Sequence, residues 1–340
     1  MQTVGFSLVF LAIFLPFGYS IISEFRIWLA KIFGFRQNAV IPTLVVGNLT
    51  VGGAGKSPFV QFLAHKLQKN AVLLRGYGRK TNGFLSVTEN SCVDDVGDEA
   101  LEHFQEGLSV FVGEDRLNAV KEIHQILGDL DLVILDDGLQ HVNLEPDFGL
   151  LLTDYQNPFW REKFSVPIGK LRQFKSSANN FDAWVITKCP KNISKQEIEG
   201  IRVKTELPVF FAAYSTSEPQ QCYGREISLE KDQKLGLITG IVNGRRLRQT
   251  LENREFDVVM HWEYSDHYLF QIDDYNRWIT ESKKQGIDAW ICSRKDFMRM
   301  KSVLNEIAID VPIFEVHTEV EIINSEEKEL LNLIKSKMIK

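Results

Sequence analysis

Leu44-Val45-Val46-Gly47-Asn48-Leu49-Thr50-Val51-Gly52-Gly53-Ala54-Gly55-Lys56-Ser57-Pro58 reads as a buried strand, a glycine-rich turn and the start of a helix. The helical pattern continues from Phe59 to Leu67. Glycines let the backbone take positive φ and point successive N–H groups at one anion. The helix N-terminus adds partial positive charge. In such a loop Lys56 reaches the β- and γ-phosphates of a nucleotide, and the Ser57 hydroxyl ligates Mg²⁺. Thr50, Val51, Gly52, Gly53, Ala54, Gly55, Lys56, Ser57 and Pro58 are therefore the candidate nucleotide-binding residues. One position departs from G-x-x-x-x-G-K-[ST]: its first glycine is Thr50 here.

The 340 residues suffice for one large or two ordinary domains, each with its own core. Apolar residues at 44% and charged residues at 25% are ordinary globular values. A formal net charge of −6 argues against a general nucleic-acid binder. The four cysteines, Cys92, Cys189, Cys222 and Cys292, form no C-x-x-C pair and read as buried small hydrophobes in a reducing compartment.

No charged side chain precedes Glu24, and Val4 to Ile22 is almost wholly apolar. As a helix, those residues span about 28 Å, close to the hydrocarbon thickness of a bilayer. A secretory signal is disfavoured, because the segment has no basic n-region and no small-x-small cleavage site follows. Pro16 and Gly18 leave a buried core helix as an alternative. The reading adopted is a membrane-associated helical segment over residues 1–36, spanning or lying in the interface. Arg26, Lys31 and Arg36 follow it and place the rest of the chain on the cytoplasmic face of the membrane. Ile27, Leu29, Ile32 and Phe33 continue an amphipathic pattern suited to the headgroup region.

Beyond residue 36, strand-like and helix-like stretches alternate, which predicts a parallel sheet with helices on both faces. Strands are expected at Thr43–Gly47, Ala71–Leu74, Leu108–Val112, Leu132–Leu135, Gly149–Thr153 and Ala183–Thr187. Helices are expected at Pro58–Gln68, Asp98–Phe104, Arg116–Leu127 and Ile193–Thr205. These make a phosphate-loop domain over 37–213. The polar stretch Tyr214–Asp232 reads as a linker. A smaller α/β domain over 233–320 has strands at Lys234–Thr239, Phe256–Met260, Ala289–Cys292 and Ile313–Val316. Its helices are Gly244–Glu252, Ile272–Gln285 and Lys295–Glu306. The end of the chain, 321–340, carries an amphipathic helix expected to pack back on the first domain.

The chemistry gathers at strand ends. Leu132-Val133-Ile134-Leu135-Asp136-Asp137-Gly138 is a buried strand ending in two acids, where phosphate-loop enzymes hold Mg²⁺. Gln140 and His141 follow and line the same pocket. Gly97-Asp98-Glu99 opens a helix, and spacing alone reads the two acids as a cap. Arg75-Gly76-Tyr77-Gly78-Arg79 puts two arginines and two glycines at the end of a strand, a pattern for planar recognition of phosphate. Arg116 and Arg172 add loop cations. Tyr264-Ser265-Asp266-His267-Tyr268 sets an acid beside an imidazole, whereas no G-x-S-x-G element supports a hydrolase triad. Thr187-Lys188 is followed by Cys189-Pro190 where a guanine-reading motif has aspartate, so guanine specificity is discounted.

Taken in order, these motifs resemble one family, the tetraacyldisaccharide 4′-kinases or lipid A 4′-kinases. The resemblance rests on residues 47–58, Arg75–Arg79, Gly97-Asp98-Glu99, Asp136-Asp137-Gly138-Leu139-Gln140-His141, the segment Pro167 to Arg172 and Asp266-His267, and it covers nearly the whole chain. The Thr50 departure then becomes a family trait. The resemblance implies transfer of the γ-phosphoryl group of ATP to the 4′-hydroxyl of an acylated glucosamine disaccharide 1-phosphate at the inner membrane. It implies Asp98 and His267 as an acid–imidazole pair that bridges two domains and activates the acceptor, which replaces the capping reading of Asp98. Lys56 and Arg172 join them as catalytic residues. Glu99, Asp136 and Asp137 are implied around Mg²⁺ with Ser57, and Arg75, Tyr77, Arg79, Arg116, Gln140 and His141 around the substrate. Membrane lipid is the further partner, with no nucleic acid and no obligate protein partner. Two positions differ from the family pattern: Gly244 stands where a proline is usual, and Tyr268 where a second histidine is common. The competing classes are a membrane-anchored phosphate-loop NTPase acting as a switch or motor, and a non-catalytic nucleotide-binding scaffold.

Overall fold

The computed structural model describes residues 29, 32–33, 36–137, 143–241, 244–266, 268–304 and 311–338. His267, Gln140, His141 and the apolar segment Val4–Ile22 lie outside the described residues. Among the described residues, no helix is long and apolar enough to cross a membrane.

In chain order the large unit holds β1 (Thr43–Gly47), α1 (Lys56–Lys66), β2 (Asn70–Leu74), β3 (Leu85–Ser86), α2 (Val93–Val96), α3 (Asp98–Gln105), β4 (Val110–Val112), α4 (Arg116–Leu127), β5 (Leu132–Asp136), β6 (Phe148–Asp154), β7 (Ala183–Cys189), α5 (Lys195–Arg202) and β8 (Val209–Thr216). The smaller unit follows with β9 (Gln220–Tyr223), β10 (Lys234–Thr239), α6 (Gly244–Asn253), β11 (Asp257–Glu263), α7 (Ile272–Gln285), β12 (Ala289–Ser293), α8 (Arg294–Leu304) and β13 (Ile313–Val316). The chain then returns to the large unit as β14 (Thr318–Ile322) and α9 (Glu327–Met338).

The large sheet runs β14-β8-β7-β6-β1-β5-β2-β4-β3. Its inner strands pair in parallel, and β14 and β3 close the two edges antiparallel. Alternation along the strands explains the two covered faces. Leu44 and Val46 of β1 join Phe59, Leu63, Leu330 and Ile334, which brings α1 and α9 onto one face. Val45 between them joins Val120 and Ile123 of α4 on the other. The second sheet, β11-β10-β12-β13-β9, is parallel except at β9. It buries Trp278 and Met300 on one face and Leu247 and Leu251 on the other.

The stretch expected as a linker is structured in part. Tyr214–Thr216 complete β8, and Gln220–Tyr223 form an edge strand of the second sheet. The smaller unit is thus an insertion between two paired strands of the large sheet. Its two crossings run side by side, with Ser217 N donating to His317 O at 2.9 Å and His317 N donating to Ser217 Oγ at 3.0 Å. The cysteine reading needs two corrections. Cys189 and Cys292 are buried, but Cys222 is only partly so, and Cys92 is exposed and its thiol donates to Asp95 Oδ2.

Candidate active site

The glycine loop leaves β1 between β5 and β6, where consecutive connections depart to opposite sides of the sheet. Ligands of open α/β sheets bind at this kind of switch point. Gly55 precedes α1 with φ of 77°, and a Cβ there would lie 2.6 Å from the ring of Tyr214. Only glycine meets both demands. Tyr214 donates its hydroxyl to Gly55 O at 2.7 Å, and burial raises its pKa well above the ordinary value. Thr187 donates to Ala54 O at 2.8 Å, and Lys188 donates to Gly53 O and to Asp154 Oδ2. Thr50 explains its own departure from glycine. It has no positive φ and sits in an antiparallel bridge with Leu171, an extended conformation open to any residue.

Two cations converge beside the loop. Lys56 Nζ donates to Asn48 Oδ1 at 2.9 Å and lies 3.9 Å from Asp137 Oδ2. Arg172 divides its guanidinium between Asn48 Oδ1 and Asp137 Oδ2, each at 3.0 Å. Asn48 thus holds both cations on one oxygen, a part that the sequence reading did not give it. Asp137 lies at φ of 55°, just past the strand. Asp136, before it, is buried and accepts from His103 Nε2 at 3.2 Å. Burial alone would raise Asp136. The His103 hydrogen bond and the charges of His103, Lys56 and Lys295 outweigh it and hold the carboxyl below the ordinary range. His103 is fully buried on α3, and its Nδ1 has no partner among the described residues.

Asp98 is the first residue of α3. No side chain caps that helix, whose preceding residue is Gly97. Asp98 Oδ1 accepts from Glu99 N at 2.9 Å, and Oδ2 accepts from Arg299 of the smaller unit at 2.5 Å. Glu99 is raised by loss of solvent, against the pull of Lys295 and with the push of Asp136 and Asp98. Lys295 Nζ lies 3.3 Å from Glu102 and 3.8 Å from Glu99. Burial would lower Lys295, but Glu102, Glu99 and Asp98 drive its pKa up.

The remaining arginines separate by depth. Arg75 and Tyr77 are exposed at the end of β2. Arg79 and Arg116 turn inward instead. Arg79 braces Gly83 O and pairs with Glu114. Arg116 is 1% exposed and donates to Leu74 O and Gly113 O, and burial lowers its pKa to about 10. Both hold loop backbone where the sequence suggested loop cations at the substrate.

Sequence reasoning passed over His103, Glu102, Lys295 and Arg299. The signal was present as i, i+4 spacing, Asp98 with Glu102 and Lys295 with Arg299, but on isolated helices such spacing reads as solvated faces. Beyond the loop, a cavity of about 430 Å³ opens between the units, lined by Gly53, Lys188, Tyr214, Thr216, Arg254 and His317 among others. A cleft of this size beside a phosphate loop suits a nucleoside.

A parallel sheet with a glycine loop at its switch point, two cations beside the loop and two acids at the end of the neighbouring β5, defines a phosphate-loop phosphotransferase. Residues 8–338 match the family model described as LpxK, tetraacyldisaccharide-1-P 4′-kinase. The tetraacyldisaccharide 4′-kinase of Cytophaga hutchinsonii is 34% identical over 317 residues, 90% of this chain and 89% of that one. That of Flavobacterium johnsoniae is 31% identical over 275 residues, 77% and 78% of the two chains. Among solved structures, LpxK from Aquifex aeolicus, an "apo" form in complex with ATP, superposes with a TM-score of 0.75 at 26% identity, covering 96% of this chain and 98% of that one. The chain belongs to the tetraacyldisaccharide-1-P 4′-kinase family.

Proposed function

We propose that this enzyme transfers the γ-phosphoryl group of ATP to the 4′-hydroxyl of an acylated glucosamine disaccharide 1-phosphate, at the cytoplasmic face of the inner membrane. The carrying observation is the convergence of Lys56 and Arg172 on Asn48 and Asp137 beside the loop, in a chain matched by the kinase family from residue 8 to 338. Backbone amides of residues 52–57 and the α1 N-terminus receive the β-phosphate side of the nucleotide. The neighbouring cleft receives the nucleoside. Lys56 and Arg172 stabilise charge on the migrating group.

In the transfer, the acceptor O–H bond breaks as a new O–P bond forms. The proton passes to a base, the bond from the β–γ bridging oxygen to the γ-phosphorus breaks, and ADP leaves. Asp98, with His267 as its partner in the family resemblance, is the acid–imidazole pair for that proton. Among the described residues, no three His, Cys, Asp or Glu side chains form a metal cage of their own. Mg²⁺ keeps its waters and binds through one or two carboxylates and the substrate phosphates. Ser57, Asp136 and Asp137 would hold it, with Glu99 close by, and it would neutralise charge on the β- and γ-phosphates when bound.

Exposed apolar side chains support work at a lipid surface. Val51 of the loop, and Phe164 and Ile168 of the segment that pairs with it, are each about half exposed, and Lys163 and Lys170 are exposed among them. Ile32 and Phe33 are exposed as well. The test is mass spectrometry of a detergent-solubilised acylated disaccharide 1-phosphate incubated with the protein and Mg·ATP. A gain of one phosphate is expected. ADP release that ignores the acceptor, with the lipid unchanged, would overturn the proposal.

A further inference from the structure

Arg299 lies on α8 and is 3% exposed, at the seam between the two units. Its Nη2 donates to Asp98 Oδ2 at 2.5 Å across the seam. Its Nη1 donates within its own unit to Gly240 O at 2.9 Å and Asp296 Oδ1 at 3.2 Å. Asp296 is fully buried and also accepts from Gly240 N at 3.0 Å and Ser293 Oγ at 2.7 Å. One planar guanidinium therefore ties the Asp98 carboxylate of the large unit to the turn that follows β10.

That turn packs against the segment that carries position 267. A Cβ on Gly240 would lie 3.3 Å from Ser265 O and 3.5 Å from Tyr268 Cβ. Tyr264 N donates to Thr239 O at 2.7 Å. Tyr268 is fixed in turn by its hydroxyl on Asp274 at 3.1 Å. Hydrogen bonds thus link the Asp98 carboxylate through Arg299 to Gly240, and the adjoining Thr239 to Tyr264.

We propose that Arg299 is a positioning residue for phosphoryl transfer: it orients the Asp98 carboxylate toward the Tyr264–Tyr268 segment and couples that orientation to the seating of the two units. This rests on Asp98 belonging to the proton-transfer machinery. Arg299 is not the sole charge holding the two units together. Lys295 with Glu102, and Arg294 with Glu106 and Glu315, already cross or brace the seam. A buried ion pair also adds little net stability over an apolar replacement, so orientation is the better account of a charge in this position. The planar fork fixes the carboxylate in direction as well as in charge, which an ammonium does not.

The test uses the full chain with lipid acceptor and Mg·ATP, and compares Arg299→Met, Arg299→Lys, Asp98→Asn and the double variant Asp98→Asn/Arg299→Met. A misplaced catalytic group costs on the order of 100-fold in turnover. Arg299→Met should lower kcat by about that factor while KM for ATP stays within about threefold. Arg299→Lys should recover part of the loss, and it serves alone if the methionine variant does not fold. In the Asp98→Asn background, Arg299→Met should cost little more. An equal loss in both backgrounds, or unchanged kcat with only a lowered Tm, would overturn the inference and leave Asp98 in place. Full turnover by Asp98→Asn would remove Asp98 from the mechanism, and the inference with it.

Discussion

The phosphate loop and the seam between the two units are held by opposite kinds of chemistry. The loop is fastened mainly by neutral and backbone groups of its own unit: Tyr214 on Gly55, Thr187 on Ala54, Val51 on Lys170, with Lys188 on Gly53 as the charged exception. The seam is fastened by charge: Arg299 on Asp98, Lys295 on Glu102, Arg294 on Glu106. Neutral contacts within one unit are formed when that unit folds. Charges that meet across two units are hydrated whenever the units part, so their geometry exists only in the assembled state. The loop is thus a preformed receptor, and the seam is a geometry completed by docking. Errors in the loop should register as lost stability and nucleotide affinity, and errors at the seam as lost turnover.

The sharpest way to break that division is Lys56, which belongs to the loop but acts on the transferred group. Its ammonium touches Asn48 and approaches Asp137. Lys56→Ala should lower turnover by about a thousandfold or more, because charge on the migrating phosphoryl goes unmatched. The unfolding midpoint should barely move. Near-normal turnover in a steady-state kinase assay would mean that this loop does not hold the nucleotide.

Gly55→Ala tests the packing half of the comparison. The substitution combines a strained positive φ with a Cβ 2.6 Å from Tyr214, and should cost about 2–4 kcal/mol in denaturant unfolding. Gly53→Ala sharpens it. That position has no positive φ, and its Cβ would meet only Lys188 Nζ at 3.8 Å, so the loss should stay under about 1 kcal/mol. Equal losses at the two glycines would show that the loop is not fixed by Tyr214.

The same division governs what could be read from the chain. The strand Thr43–Gly47 and the helix Arg116–Leu127 emerge with the expected limits, because period-two and period-3.6 patterns are local. So do Lys234–Thr239 and Ile272–Gln285 in the second unit. β14 escaped notice. Thr318-Glu319-Val320-Glu321-Ile322 is a short, charged edge strand whose partner, β8, lies about a hundred residues earlier, with the whole smaller unit between them. A pairing so distant leaves no local trace. In the site, glycine spacing and the Asp136-Asp137 strand end carried the loop and the acids. Asn48 and Arg299 act through partners on other elements, and one sequence shows the residue without the partner. Arg79 and Arg116 fail for the converse reason: an arginine in a turn looks the same whether it faces solvent or folds back on a carbonyl.

The smallest expected effect is at Asp154, a charged fastening on the otherwise neutral loop side. Its Oδ2 accepts from Lys188 Nζ at 2.9 Å, and Lys188 in turn holds Gly53 O. Its Oδ1 accepts from Gln156 N and Asn157 N. Burial pushes the carboxyl up, but Lys188 and the two amides prevail, and the pKa falls below its ordinary value of 3.8. The folded state therefore binds fewer protons than the unfolded chain near that pH. The stabilisation is complete above about pH 4 and is lost as pH falls through the depressed folded value. Asp154→Asn keeps an acceptor for the amides and removes only the charge. It should destabilise the protein by about 1–2 kcal/mol at pH 7, with the gap to the parent closing below about pH 4. ATP affinity should change by no more than a few-fold, since Lys188 can still donate to Gly53 O. A gap that stays constant from pH 7 to pH 3 in chemical denaturation would show that Lys188 and Asp154 hold the loop by shape rather than by charge. The division between a neutral loop and a charged seam would then be complete.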